Sequence, residues 1–167
     1  MANTYTLIEA KTLGSTTASI TFSSIPQTYT DLKIVMSVRS DNTNPSNTVD
    51  ITFNGNTSSF TNIYLIGTGS STASGSNFGR YAGAQNSANE TANTFSNSEI
   101  YIPNYTGSNN KSYSADGVYE NNATAAGQGL VAGLWSNTAA ITSIGITGYA
   151  GNFLATSTFY LYGISNS

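Results

Sequence analysis

The sequence predicts an all-β chain built as an antiparallel sandwich or barrel. The 3.6-residue period of an amphipathic helix is nearly absent. Short runs alternate apolar with polar side chains. Clusters of Gly, Asn and Ser separate those runs at short intervals, which is the pattern of sheet proteins.

Each strand follows from its alternation. "YTLIEA" opens the series. "ASITF" puts Ala18, Ile20 and Phe22 on one face and Ser19 and Thr21 on the other. "DLKIVMSVR" turns Leu32, Ile34, Met36 and Val38 inward and Lys33, Ser37 and Arg39 outward. In "VDITF" the inward set is Val49, Ile51 and Phe53, opposite Asp50 and Thr52. "NIYLIG" adds a strand. "SEIYIP" aligns Ile100 with Ile102 opposite Glu99 and Tyr101, and "SYSADGVYE" aligns Tyr113, Ala115 and Tyr119 opposite Ser114, Asp116 and Glu120. "GLVAGLW" follows, then "ITSIGIT" with Ile144 and Ile146 in one phase and Ile141 in the other. "TSTFYLYGIS" closes the set, giving about nine or ten strands of ordinary length. The predicted core is Leu32, Ile34, Met36, Val38, Ile51, Phe53, Ile100, Ile102, Ile144 and Phe159.

The connections carry their own signals. Pro26 cannot donate to a ladder, so it marks a corner between strands. Asn54-Gly55 is the pair a type I′ turn prefers. "GTGSSTASGSN" (67–77) reads as a flexible Gly/Ser-rich loop. "GAQNSANETANTFSNS" (83–98) reads as a long polar loop with a helical turn around Ala88 to Ala92. Loops of this length in a compact domain are flexible or are ordered by a neighbour. No shift in composition marks a boundary, so residues 1–167 form a single domain, long enough for a real core.

Charged residues make up 8% of the chain, against roughly 25% in ordinary domains. Ser, Thr, Asn and Gly take their place, and the surface is polar but nearly neutral. The five basic residues, Lys11, Lys33, Arg39, Arg80 and Lys111, are scattered singly under a net charge of −3. Phosphate backbones need clustered Lys and Arg, so no nucleic-acid partner is expected. There is no cysteine, which excludes disulfides and thiolate chemistry. "MANTYTLIEA" lacks the basic and apolar regions of a secretory signal. The longest apolar runs are too short for a membrane-spanning helix. The expectation is a soluble product made in a cytoplasm, with no membrane partner.

Chemistry is equally sparse. No histidine is present, which removes the commonest general base and every His-dependent triad. The eight carboxylates are Glu9, Asp31, Asp41, Asp50, Glu90, Glu99, Asp116 and Glu120. Asp116 and Glu120 share a strand face about 13 Å apart at strand rise, too far for a glycosidase pair at roughly 5 to 9.5 Å. Pairs assembled by folding stay open. "DNTNPSN" (41–47) has the oxygens calcium favours but neither the spaced second carboxylate nor the terminal bidentate Glu, so it reads as a turn rich in Asx hydrogen bonds. "GTGSSTASG" has no Gly-Lys-Ser/Thr and no strand–helix context, so the phosphate-loop reading fails. No cofactor, metal or enzymatic activity is expected.

The aromatics remain: 11 Tyr, 7 Phe and 1 Trp. Tyrosine suits a surface that must be apolar and wettable at once. Phe159 and Leu161 point to one side of the last strand and Tyr160, Tyr162 and Ile164 to the other, so both faces are greasy. A strand with one wet face should alternate. The second face therefore calls for a sheet, a loop or a partner, and Tyr160, Tyr162, Ile164 and Trp135 are the candidate interface residues, although for Trp135 a place in the core or at its rim is favoured over a ligand platform.

Four segments then stand out: "FSSIPQTYTDLKI" (22–34), "GLWSNTAAITSIGIT" (133–147), "GNF" (151–153) and "FYLYGI" (159–164). In this order and spacing they resemble virion structural proteins of tailed bacteriophages, of the marine and cyanobacterial type. The likeness spans residues 5 to 164, with a variable middle from 55 to 128 that carries none of it. It implies a jelly-roll-like β-sandwich within the particle and carries over no catalytic residue. The resulting expectation is a head decoration or cement protein on the capsid lattice. It would be a homotrimer in contact with the major capsid protein, assembled in a host bacterial cytoplasm. The alternative is a receptor-binding, carbohydrate-binding module of a tail fibre or spike, using loops 67–77 and 83–98.

Overall fold

The computed structural model describes residues 4–43, 48–77, 79–120 and 125–165. Among them run twelve strands and no helix. In chain order these are β1 (Tyr5–Thr12), β2 (Ser19–Phe22), β3 (Asp31–Ser37), β4 (Thr48–Phe53), β5 (Phe60–Gly67) and β6 (Thr72–Asn77). They continue as β7 (Tyr81–Ala84), β8 (Asn97–Ile102), β9 (Lys111–Glu120), β10 (Ala126–Trp135), β11 (Ile144–Gly148) and β12 (Thr158–Ile164).

The strands form an antiparallel sandwich of two unequal sheets. The larger has eight strands in the order β1-β12-β3-β8-β9-β10-β5-β6, and the smaller four in the order β2-β11-β4-β7. Two hairpins account for the unequal widths. Set aside β5–β6 and β9–β10, and the other strands pass back and forth between a sheet β1-β12-β3-β8 and a sheet β2-β11-β4-β7, except that β4 and β7 are consecutive and pair within the smaller sheet. Both hairpins join the larger sheet beyond β8 and double its width.

Period-two alternation built the core. All ten residues expected there are buried, nine of them completely and Met36 to 1% exposure. Ile141, out of phase with its neighbours, lies just before β11 and is also buried. Ala18 falls outside β2 and is exposed. Phe53 makes edge contacts with Tyr113 and Trp135, at ring-centroid distances of 5.9 and 5.5 Å. Offset contacts of this kind add to simple area burial.

Several connections depart from the sequence expectation. Asn54 and Gly55 both take positive φ, 53° and 72°, and the Asn56 amide donates to the Phe53 carbonyl at 2.9 Å, as in a type I′ turn. The turn ends β4 without pairing it to β5, which crosses to the other sheet. Asn54 instead ties its side chain to the 140–143 segment, donating to the Ala140 carbonyl and accepting from the Thr142 and Ser143 amides. Part of the 67–77 segment is strand β6, hydrogen-bonded to β5, because backbone pairing outweighs its low strand propensity.

Arg39, outward by simple alternation, is 6% exposed. Its guanidinium donates to the carbonyls of Thr91 at 2.7 Å, Thr94 at 2.9 Å and Glu90 at 2.9 Å. Glu90 in turn accepts from the Ser87 amide, and Thr91 donates its hydroxyl to Glu120 at 3.0 Å. The 83–98 segment is thus ordered from within the chain. The stretch around Ala88 to Ala92 forms turns and bends, not a helical turn.

Candidate functional site

Two surfaces lie outside the closed core. The first is the outer face of the eight-stranded sheet. Strand register carries whole rows of side chains across it. One row runs Leu7, Tyr162, Lys33, Tyr101 from β1 to β8, and continues Ser114, Ala132, Ile63, Ser76 from β9 to β6. The adjacent row runs Ala10, Tyr160, Val35, Glu99 and continues Asp116, Leu130, Leu65, Ser74. Ile63 is 63% exposed, Leu7 51% and Leu65 50%. Leu7 on β1 lies at one end of this face, and Ile63 and Leu65 on β5 lie toward the other, next to Leu130 on β10; aliphatic side chains so exposed mark a face that nothing in the described chain covers.

Tyr160 and Tyr162 stand on this face, half-buried. Ile164 shares their phase but is shielded beside Asp31 and Tyr5, at 7% exposure. Trp135 does not belong to the surface. It is 1% exposed, on the inward phase of β10, stacked on Phe60 at 6.0 Å. This agrees with the core-or-rim reading of Trp135 and removes it from the candidate interface residues.

Polar groups punctuate the rows. Lys33 Nζ lies 2.6 Å from Glu99 Oε2, and that hydrogen bond raises the lysine pKa against the opposing effect of burial. The Tyr101 hydroxyl donates to Asp31 Oδ2 at 2.6 Å, which pushes the phenol up to about 12. Folding does bring two carboxylates together, Glu99 opposite Asp116, but on a flat open face with Lys33 bound to one of them. No group of three or more His, Cys, Asp or Glu residues could hold a metal among the described residues. Asp41 is instead engaged by Asn152, accepting from its amide at 2.7 Å and its side chain at 2.9 Å. These bonds hold the carboxyl below its ordinary range. Residues 44–47 of the candidate calcium turn lie outside the described residues.

The second surface is a cleft of about 260 Å³. It opens where the larger sheet runs past β7, the edge of the smaller one. Tyr64, Tyr81, Tyr119 and Tyr149 line it with Thr48 and Ile66. The Tyr81 ring lies 6.1 Å from Tyr64 and 5.7 Å from Tyr149, the latter nearly perpendicular at 80°. Burial pushes the Tyr119 phenol up, with the charge of Glu90 adding to it. Four separate segments supply these rings, so no local motif could announce them.

On this side β10 carries glycines at 127, 129 and 133. Added Cβ atoms at Gly127 and Gly133 would overlap the rings of Tyr119 and Tyr113 respectively. Each of those tyrosines lies over the glycine of the neighbouring strand, a cross-strand device that fills the missing side chain. Gly129 has nothing within 4 Å of such an atom and forms an open floor of the cleft.

No family model matches the chain, and neither a curated protein nor a solved structure matches it.

Proposed function

We propose that this chain is a non-enzymatic structural protein of a bacteriophage virion, a head decoration protein that binds the capsid lattice through the outer face of its larger sheet. The observation that carries this reading is the pair of side-chain rows with exposed Leu7, Ile63 and Leu65 and half-buried Tyr160 and Tyr162. A face of this kind gains about 25 cal/mol for each Å² of apolar area it buries, repeated at every lattice site. With so few charges, attachment depends only weakly on salt. The order of the remaining strands, β1-β12-β3-β8 facing β2-β11-β4-β7 with β4 and β7 paired in one sheet, supports the jelly-roll form, in which antiparallel strands wrap as two Greek keys. A trimer with closed symmetry, in contact with the major capsid protein, is the assembly this reading expects.

Immunogold labelling of intact particles tests it. Label over the head agrees with decoration, and label at the tail tip rejects it. Sedimentation of the purified chain, compared with Tyr160→Ser/Tyr162→Ser, tests the face. A well-folded monomer with a silent double substitution rejects self-association through it.

A second reading has its own observation. The tyrosine-lined cleft favours a receptor-binding, carbohydrate-binding module of a fibre or spike, and label at the tail tip would select it.

A further inference from the structure

We propose that the cleft between β7 and the outer half of the larger sheet binds one ring of a neutral saccharide. This deepens the adhesion reading and rests on it, but it moves the site from the long loops to the place where the two sheets part.

Four properties of the cleft select the ligand. Its walls are tyrosine rings, whose faces accept the C–H face of a pyranose and whose hydroxyls both donate and accept. Among the described residues no charged side chain lines it, so a phosphate, sulfate or carboxylate would find no counter-ion. The neighbouring rings touch one another at 5.7 and 6.1 Å, the closer pair edge to face. They form a corner and do not bracket an ammonium group between two faces, as a cation site would. Its volume of about 260 Å³ is room for roughly nine waters at about 30 Å³ each, matched to one sugar ring better than to a helix or an extended protein segment.

The floor makes the strongest argument. Of the inward glycines on β10, Gly127 and Gly133 are covered by the chain's own tyrosines and Gly129 is not. A glycine in mid-strand lowers stability. At the covered positions the overlying ring offsets that loss. At Gly129 nothing in the described chain does, and the consequence of the missing side chain is depth in the cleft beside Tyr64, Tyr81 and Tyr149.

The test is a glycan array probed with the full chain, followed by titration of the best neutral hit's methyl glycoside. Three proteins are compared: the parent, Gly129→Val and Tyr149→Ala. A Cβ added at Gly129 meets nothing within 4 Å, so Gly129→Val keeps the parental far-UV circular dichroism and a Tm at or above the parental value while the floor rises. Affinity should fall about tenfold or more, the scale of an overpacked site. Tyr149 is 55% exposed at the mouth, so its loss leaves folding intact and should weaken binding about threefold to tenfold. Neutral hits that keep parental affinity in both variants overturn the cleft and leave the adhesion reading standing. An array without hits overturns both. A preference for acidic glycans, or competition by tetramethylammonium, overturns the assignment of a neutral saccharide.

Discussion

The larger sheet is built in two ways. Its first half, β1-β12-β3-β8, lies against the smaller sheet and is closed with branched aliphatics and Phe: Leu32, Ile34, Ile100, Ile102 and Phe159 are all fully buried. Its second half, β9-β10-β5-β6, is only partly covered, by β7 and the end of β4. Here glycine strands are filled by tyrosines and the cleft stays open, while on the opposite, outer side Ile63, Leu65, Leu130 and Val118 face solvent. Buried polar atoms without a hydrogen-bond partner also gather in or beside this half, at Asn62, Trp135 Nε1 and Asp50 Oδ1. A fully enclosed face excludes water and selects side chains by shape. A half-covered one needs rings that are apolar along their length and wettable at the tip.

The largest expected effect separates the enclosed inner face of the covered half from the open outer face. Ile34→Ala removes a fully buried side chain from a packed layer and should cost about 2 to 5 kcal/mol. Ile63→Ala, at a position 63% exposed, should change the stability of the monomer by no more than about 0.5 kcal/mol. Urea unfolding of both variants checks the pair. Equal losses would mean that the outer face is covered within the chain.

Gly133→Ala comes next. Its new methyl would overlap the Tyr113 ring, and Tyr113 is 3% exposed with its hydroxyl donating to the Tyr81 carbonyl at 3.1 Å. The ring must move, at a cost of about 1 to 3 kcal/mol. A thermal melt with Tm at or above the parental value would show that the glycine is not required by the ring above it.

What the sequence disclosed follows the same division. Strict alternation in β3, β4 and β8 identifies the core of the covered half residue by residue, since the inward positions there are filled by Ile, Leu, Val, Met or Phe, with Ser98 the one exception. In β9 and β10 the inward positions are largely Tyr, Ala, Gly and Val, and the outward ones include Leu130, Leu134 and Val118. In β9 the alternation still separates Tyr113 and Ala115 from Ser114 and Asp116, but in β10, with Gly on one face and Leu on the other, periodicity does not reveal which face is inside. β6 has almost no strand signal, and only its ladder with β5 makes it one. Arg39 follows a regular strand, and its burial depends on carbonyls some fifty residues away. The outer rows were legible at one point, Tyr160 and Tyr162, because a single strand with two apolar faces is visible locally. Their continuation to Leu65 and Ile63 needs the register of the strands between.

A smaller effect is titratable. Burial raises the Asp50 carboxyl above its ordinary 3.8, only partly offset by Arg80, whose Nη2 is 2.9 Å away. The folded state therefore keeps this proton to a higher pH than the unfolded chain. Between the two pKa values it binds more protons, so the stability contributed by Asp50 is lost as pH rises through that window. Burial lowers Lys111 from 10.5, which gives the opposite sign: stability rises with pH through the window just below that value. Asp41, held low by Asn152, also works against Asp50 on the acid side, so the comparison must be a difference. Tm measured against pH for the parent minus Asp50→Asn should decline from about pH 4 upward. A difference that rises over this range would mean that the Arg80 pair outweighs burial.

The smallest expected effect is the sharpest probe of how the open half is built. Gly129→Ala adds one methyl on the strand face that Gly127 and Gly133 share. The methyl meets nothing within 4 Å, so it creates no clash, and its strand backbone suits any residue. Alanine restricts the unfolded chain more than glycine does, and a mid-strand glycine is worth about 0.5 to 1 kcal/mol less than alanine. The substitution should therefore stabilise the protein by about that amount, measured by urea unfolding, while Gly133→Ala further along the same strand face destabilises it. A loss of stability at Gly129 would mean that Tyr64 or Tyr119 swings over the floor in solution, closing the cleft and making the two halves of the sheet alike.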